Sequence, residues 1–300
     1  MRFGTVPHLD RPVSRVVMGT DFLTGQPRES SFAALDAYWE AGGNVFDTAT
    51  AYEDNSRVFG EWLASRGLAG QVIHLDKGCH PTDRRRVTRA DAREDLAKNH
   101  EQIGVAVTDF FVLHRDDPDM AVGEVVTWLN ELVSEGLIRA FGGSNWHHAR
   151  IQAANEYAEA NGLQGFSLSN PNLSLAIPNE PMWAGCISVD EDGRRWHERT
   201  GFPLFSWSSM ARGFFGAAED EDTRRVYFSE VNLARKARAE DAARRHGLTP
   251  PQIALAWVLG QPLQIFALGG LRTVDQVQQA LEASEVILAP DEVHWLEHGE

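Results

Sequence analysis

Cysteine is nearly absent: Cys79 and Cys186 are the only two in 300 residues. Two thiols build no disulfide framework, which excludes a stapled extracellular scaffold and suits a reducing cytoplasm. Long apolar runs are missing as well. No stretch approaches the ~18 uninterrupted apolar residues of a membrane-spanning helix. The opening segment, MRFGTVPHLDRPVSRVVMG, has charges and a proline where a secretory signal would need an apolar core. Positive charge is scarce. Lys+Arg number 28 against 43 Asp+Glu, a net charge of −15. A field of that sign disfavours nucleic acid or an anionic membrane surface as the main partner. It also sets a condition: a ligand bearing phosphate would need a local cluster of Arg or Lys. The first strand-to-helix junction, MGTDFLTGQPRES, lacks G-x-G-x-x-G, and neither a P-loop nor H-E-x-x-H occurs anywhere. Asp190, Asp192 and Gly193 resemble a fragment of a calcium loop, but no glutamate completes the spacing, so no metal site is expected.

What remains is an ordinary globular composition, 43% hydrophobic and 24% charged, long enough to bury a large core. Short apolar runs at 15–19, 44–49, 72–77, 109–114, 138–144, 166–169, 203–208 and 264–270 read as strands. Helical periodicity fills the gaps between them. Val122, Val125, Val126, Leu129, Leu132 and Val133 share one face of a helix that should stop at Gly136. Thr88 and Asp91 read as a capping box, and PPQIALAWVLG starts a helix on proline. Strict alternation of eight strands with helices argues α/β, a single (β/α)8 TIM barrel spanning residues 1–300. The first residues should form an N-terminal hairpin under the barrel, and PDEVHWLEHGE an extra C-terminal helix. The longest irregular stretches follow strands six and seven, on the face where loops of this length usually serve function.

In such a barrel the active site lies at the C-terminal ends of the strands. Strand two ends in Asp47, with Tyr52 in the following loop; strand three ends in Lys77 and strand four in His114. Each alone has an ordinary structural explanation. Together they point four titratable groups into one bowl. A phenol is a weak acid, with a pKa of about 10, and a neighbouring ammonium should pull that value toward neutrality. A carboxylate beside the ammonium keeps it charged. An acid poised over a carbonyl suits reduction, in which oxygen gains a proton as carbon gains hydride, and the hydride implies a nicotinamide.

These residues sit in recognisable segments. GGNVFDTATAY (residues 42–52), HLDKG (74–78), VLHRDDP (112–118) and RAFGGSNW (139–146) occur in this order. The chain resembles the aldo-keto reductases over nearly its whole length, from about Val13 to Leu296. The resemblance implies a barrel fold and NADPH as cofactor in preference to NADH. It implies that Tyr52 is the general acid, Lys77 and Asp47 its tuning pair, and His114 the residue that orients the carbonyl. It further implies that Ser144, Asn145 and Asn170 hold the nicotinamide carboxamide, with Thr20 and Asp47 nearby. Asn170 stands where a glutamine is more usual. Trp207 takes the ring-stacking position, followed by Ser208, and Arg212 meets the pyrophosphate. In GGLRTVDQVQQAL, Arg272 and Thr273 would take the 2′-phosphate, with Gln276 and Ala280 where the family often has an Arg and an Asn. Arg272 would meet the condition set by the net charge.

Phe22, Leu23, Trp146, Met182 and Trp183 are the expected walls of a substrate pocket for a small-molecule carbonyl. Three other readings use the same residues: a cofactor-binding regulatory subunit with slow turnover, a Schiff-base aldolase using Lys77, and a lyase or isomerase without redox chemistry.

Overall fold

Eight short runs of apolar residues are buried along almost their whole length, and burial on both faces requires a sheet covered on both sides. The computed structural model describes residues 1–300. It begins with an antiparallel hairpin, β1 (Phe3–Gly4) and β2 (Val13–Ser14). The buried runs follow as β3 (Val16–Gly19), β4 (Val45–Ala49), β5 (Ile73–Gly78), β6 (Thr108–Leu113), β7 (Ile138–Ser144), β8 (Leu168–Asn170), β9 (Leu204–Ser206) and β10 (Ile265–Gly269). All pair in parallel, and β10 returns to β3 to close a barrel. The helices are α1 (Arg28–Glu40), α2 (Asp54–Arg66), α3 (Arg89–Ile103), α4 (Val122–Ser134), α5 (His148–Ala160), α6 (Glu191–Thr200), α7 (Glu221–Tyr227), α8 (Glu230–His246), α9 (Pro250–Leu259), α10 (Val274–Glu285) and α11 (Pro290–His298). This is the expected (β/α)8 barrel with its hairpin and its additional terminal helix. No helix is long and apolar enough to cross a membrane.

Period-two alternation sorts the strand residues. Val17, Val45, Leu75, Phe110, Val112 and Phe205 belong to the cluster that fills the barrel lumen. Their neighbours Met18, Phe46, Phe111 and Phe141 belong to the clusters that pack against the surrounding helices. The hairpin covers the bottom of the lumen. Arg11 donates to the Gln71 and Val72 carbonyls at 2.9 Å, and Gln264 donates to the Thr5 carbonyl, all near strand beginnings.

The helix ends follow local chemistry. Gly136 takes the left-handed conformation just past α4, with φ of +73°. Thr88 caps α3 by accepting from the Asp91 N–H at 3.2 Å, while the Asp91 carboxylate binds the Thr88 hydroxyl, Arg84 and Arg86. Thr249 and Gln252 form a capping box on α9 ahead of Pro250. Several strand bounds are shifted from expectation, two of them beside the cavity. β8 runs on to Asn170, where the following Pro171 has no N–H to continue a ladder, and β9 stops at Ser206, leaving Trp207 and Ser208 in the loop beyond.

Candidate active site

The lumen alternation that buries Val45 and Leu75 also aims the residues two further along at the open end. Asp47 and Lys77 therefore point inward above the packed core, each only 4% exposed. Lys77 Nζ donates directly to Asp47 Oδ1. A 3₁₀ turn over Thr50–Tyr52 follows β4 and sets the Tyr52 ring beside this pair, with Lys77 Nζ 5.1 Å from the ring centroid. His114, just past β6, meets the Tyr52 ring edge-on at 6.3 Å and the His80 ring at 4.7 Å. All four expected catalytic residues line one cavity of about 760 Å³ at the C-terminal end of the barrel.

The protonation states follow from burial and neighbours. Desolvation would push the Lys77 ammonium down, but the Asp47 carboxylate beside it outweighs that cost and holds Lys77 above its ordinary value. Burial raises the Asp47 carboxyl against the pull of Lys77. The Tyr52 phenol corrects an expectation. Lys77 does pull its pKa down, but desolvation is the larger effect and leaves it above the ordinary value of about 10. Tyr52 is therefore a protonated donor at neutral pH. Desolvation, together with Lys77, His80 and Arg115, holds His114 well below the usual imidazole range, so it is neutral. Its Nδ1 is buried without a partner.

The three residues expected to hold a carboxamide divide on inspection. The Asn145 amide is fully engaged. Its Nδ2 donates to the His114 carbonyl and Ser144 Oγ, and its Oδ1 accepts from the Ile187 N–H and Trp207 Nε1. With φ at +61°, Asn145 is a lock between strand ends rather than a free recognition group. Ser144 Oγ donates to the Asn170 carbonyl at 3.0 Å. Asn170 is different: its Nδ2 donates to the Phe205 carbonyl, and its Oδ1 is buried with no partner. A buried acceptor facing a cavity calls for a donor, and an amide N–H₂ would supply it. Trp207 forms a flat wall of the same cavity. Beyond it Ser208, Ala211 and Arg212 all have positive φ, between +49° and +52°.

The cavity continues to the start of α10, where Arg272 and Gln276 line it. Gln276 accepts from the Arg272 N–H at 2.7 Å, and Thr273 caps the helix by accepting from the Gln276 N–H at 3.2 Å. The free first-turn amides and the helix dipole make this end attractive to an anion. The cavity thus joins a proton-donating end to an anion-attracting end, and its donor set fits a nicotinamide dinucleotide.

Several expected contacts are elsewhere. Thr20 is fully buried and donates through Oγ1 to the Asp47 carbonyl at 3.0 Å, so it steadies β4 instead of lining the cavity. Thr273 serves as the α10 cap and does not line the cavity. Phe22 is a core residue with the Arg272 guanidinium 5.9 Å above its ring. Leu23 and Met182 are core residues as well. Trp146 is 1% exposed and donates through Nε1 to the Arg115 carbonyl at 3.1 Å. Gly143 permits this: a Cβ there would lie 2.6 Å from the indole, so the ring folds back onto its own strand. Trp183 does line the cavity and is 48% exposed, with Trp207 at 6.0 Å. Among the lining residues that the sequence reading did not assign to the site are Asp21, Arg115 and Cys186. Arg115 sits inside VLHRDDP, immediately after the histidine that drew attention.

A model of the aldo/keto reductase family matches residues 15–298. A norsolorinic acid reductase of Emericella nidulans is 28% identical, over 95% of this chain and 78% of that protein. A putative aryl-alcohol dehydrogenase of Saccharomyces cerevisiae is 25% identical, over 92% of this chain and 78% of that protein. A crystal structure of a thermostable aldo-keto reductase with the inhibitor epalrestat superposes with a TM-score of 0.76 at 20% identity, covering 99% of each chain. That last likeness is one of fold.

Proposed function

The chain belongs to the aldo/keto reductase family, a family of oxidoreductases, and from that premise we propose that it is an NADP-dependent carbonyl reductase with Tyr52 as the general acid. It would convert a small aldehyde or ketone to an alcohol, or run in reverse. The observation that carries this reading is the buried Lys77–Asp47 pair set beside a protonated Tyr52 and a neutral His114. His114 would orient the carbonyl oxygen by a hydrogen bond. Tyr52 would pass its proton to that oxygen, and Lys77, kept charged by Asp47, would stabilise the phenolate left behind.

When bound, a reduced nicotinamide supplies hydride to the carbonyl carbon. Asn170 Oδ1 would accept from its carboxamide and Trp207 would flank its ring. Arg212 and the Ser208 turn suit the pyrophosphate, and Arg272 with Gln276 at the start of α10 suits the adenosine end. NADPH is favoured over NADH because Arg272 places positive charge there in a chain of net charge −15. Two buried free thiols suit a cytoplasmic setting. Against the aldolase reading stands the charge on Lys77, since a Schiff base needs the free amine.

The test is Tyr52→Phe. Tryptophan fluorescence should report NADPH binding close to wild type, while carbonyl reduction falls by about 10²- to 10⁴-fold. Near-wild-type turnover by Tyr52→Phe would refute the assignment. A wild-type protein that binds NADPH but reduces no member of a broad carbonyl panel would favour a regulatory role.

A further inference from the structure

Only two arginines in the chain are buried, Arg235 at 4% and Arg115 at 8% exposure. Arg235 has a carboxylate, Glu297, at 3.8 Å. Arg115 makes no ion pair, although the chain carries 43 acidic residues. Its Nε donates to the Ala184 carbonyl at 3.1 Å and its Nη1 to the His114 carbonyl at 2.8 Å. Its Nη2 makes no hydrogen bond within the chain. A guanidinium with two corners tied and one edge free is pre-organised for a planar anion.

Arg115 sits at a different strand end from the groups assigned to the cofactor. Asn170 and Trp207 lie past β8 and β9, and the adenosine end lies past β10. Arg115 lies past β6 and shares the cavity wall with His114 and Cys186. The loop after β8 is drawn tightly over it. At Gly185, φ is +73° and a Cβ would come within 3.2 Å of Arg115 Cδ. The backbone is fixed as well, because the Arg115 carbonyl accepts from the Trp146 indole N–H at 3.1 Å. Trp183, two residues before Gly185, offers an exposed flat face beside the guanidinium-bearing wall.

We propose that Arg115 recognises a carboxylate on the substrate, so that the carbonyl compounds this site prefers are carboxylate-bearing aldehydes or ketones. The proposal rests on the reductase reading for its reaction but not for its binding site. Burying an unpaired cation is costly, and an anionic ligand recovers that cost only when it arrives. In a chain of this net charge, one unpaired arginine beside the reacting groups also gives the acid substrate a local attraction against the global repulsion.

The experiment compares 4-carboxybenzaldehyde with its neutral methyl ester, and the alcohol 4-(hydroxymethyl)benzoate with its neutral amide. Wild-type protein should favour the carboxylate in KM by about tenfold or more, the worth of a charge-assisted hydrogen bond. Arg115→Gln should collapse the ratio of the two KM values toward one, and Arg115→Lys should restore part of it. A purely structural role for Arg115 would impair both aldehydes equally and leave the ratio unchanged, which would overturn the proposal. Calorimetric binding of the two alcohols separates the two readings. A carboxylate preference that Arg115→Gln abolishes, in a protein that reduces neither aldehyde, sustains the anion site and overturns the reductase. Equal affinity for 4-(hydroxymethyl)benzoate and its amide in wild type overturns the anion site whatever the turnover.

Discussion

Lys77 on β5 donates to Asp47 on the neighbouring strand β4, and neither side chain is more than about 5% exposed. A buried pair of this kind is weak evidence for net stability, because desolvation offsets the attraction. Its removal from one side is another matter. Lys77→Met leaves Asp47 as a buried carboxylate without its cation, and unfolding free energy should fall by about 3–5 kcal/mol. Lys77→Met combined with Asp47→Leu should recover much of that loss and none of the carbonyl reduction. Denaturant melts and steady-state rates on wild type and the two variants check this. If the single variant were as stable as wild type, the pair would have no role in holding the site together.

Arg272 lines the far end of the cavity, one residue before the Thr273 cap of α10. Its side chain is exposed, and its N–H is already bound by Gln276. Arg272→Ala should therefore weaken NADPH by about tenfold or more while changing NADH far less, since only the former carries a phosphate for the guanidinium. Fluorescence titrations with both nucleotides measure the ratio. Equal weakening of the two would remove the phosphate assignment.

Much of this was legible in the residues, for identifiable reasons. Strands buried on both faces appear as uninterrupted apolar runs, so the barrel could be read from their number and spacing. Asp47 and Lys77 lie in the C-terminal parts of such runs, and the two-residue period fixes their direction. What failed to show was side-chain commitment. Thr20, Asn145 and Thr273 are polar residues near the cavity, but their groups are spent on Asp47, on His114, Ser144, Ile187 and Trp207, and on Gln276. The raised Tyr52 pKa depends on how deeply the site is desolvated, which no spacing encodes. Gly143 before Trp146 was the available signal that the indole folds inward.

Asp76 gives a stability prediction with a definite pH window. It is fully buried on β5, takes a hydrogen bond from Asn99 of α3, and leaves Oδ2 without a partner. Burial pushes its pKa up to about 7. Below about pH 4 the carboxyl is protonated in both folded and unfolded chains and contributes nothing. Between about pH 4 and 7 the folded chain holds a proton that the unfolded chain has lost, so stability falls as pH rises. Above that window the full penalty is present. Asp76→Asn should accordingly raise Tm at pH 8 by at least about 2–4 °C and change it little at pH 4. Thermal melts across this range decide the matter, and a gain that is the same at both pH values would contradict the assigned titration.

Trp146 and Trp183 supply a matched pair, since both were expected as pocket walls and only one is. Trp146 packs on Phe166 at 5.1 Å, lies beneath the Arg150 guanidinium at 5.0 Å and is sealed from solvent. Truncating it empties a large volume in the cluster between α4, α5 and β7, so Trp146→Ala should cost about 3–5 kcal/mol of stability. Trp183 stands on the long loop after β8, with Arg212 5.4 Å above its ring. About half of its side chain is exposed, so Trp183→Ala should stay within about 0.5 kcal/mol of wild type while raising KM for aromatic carbonyls. The comparison needs only a denaturant melt and a substrate titration for each variant. A stable Trp146→Ala with altered KM, or an unstable Trp183→Ala with unchanged KM, would reverse the two assignments and return Trp146 to the pocket.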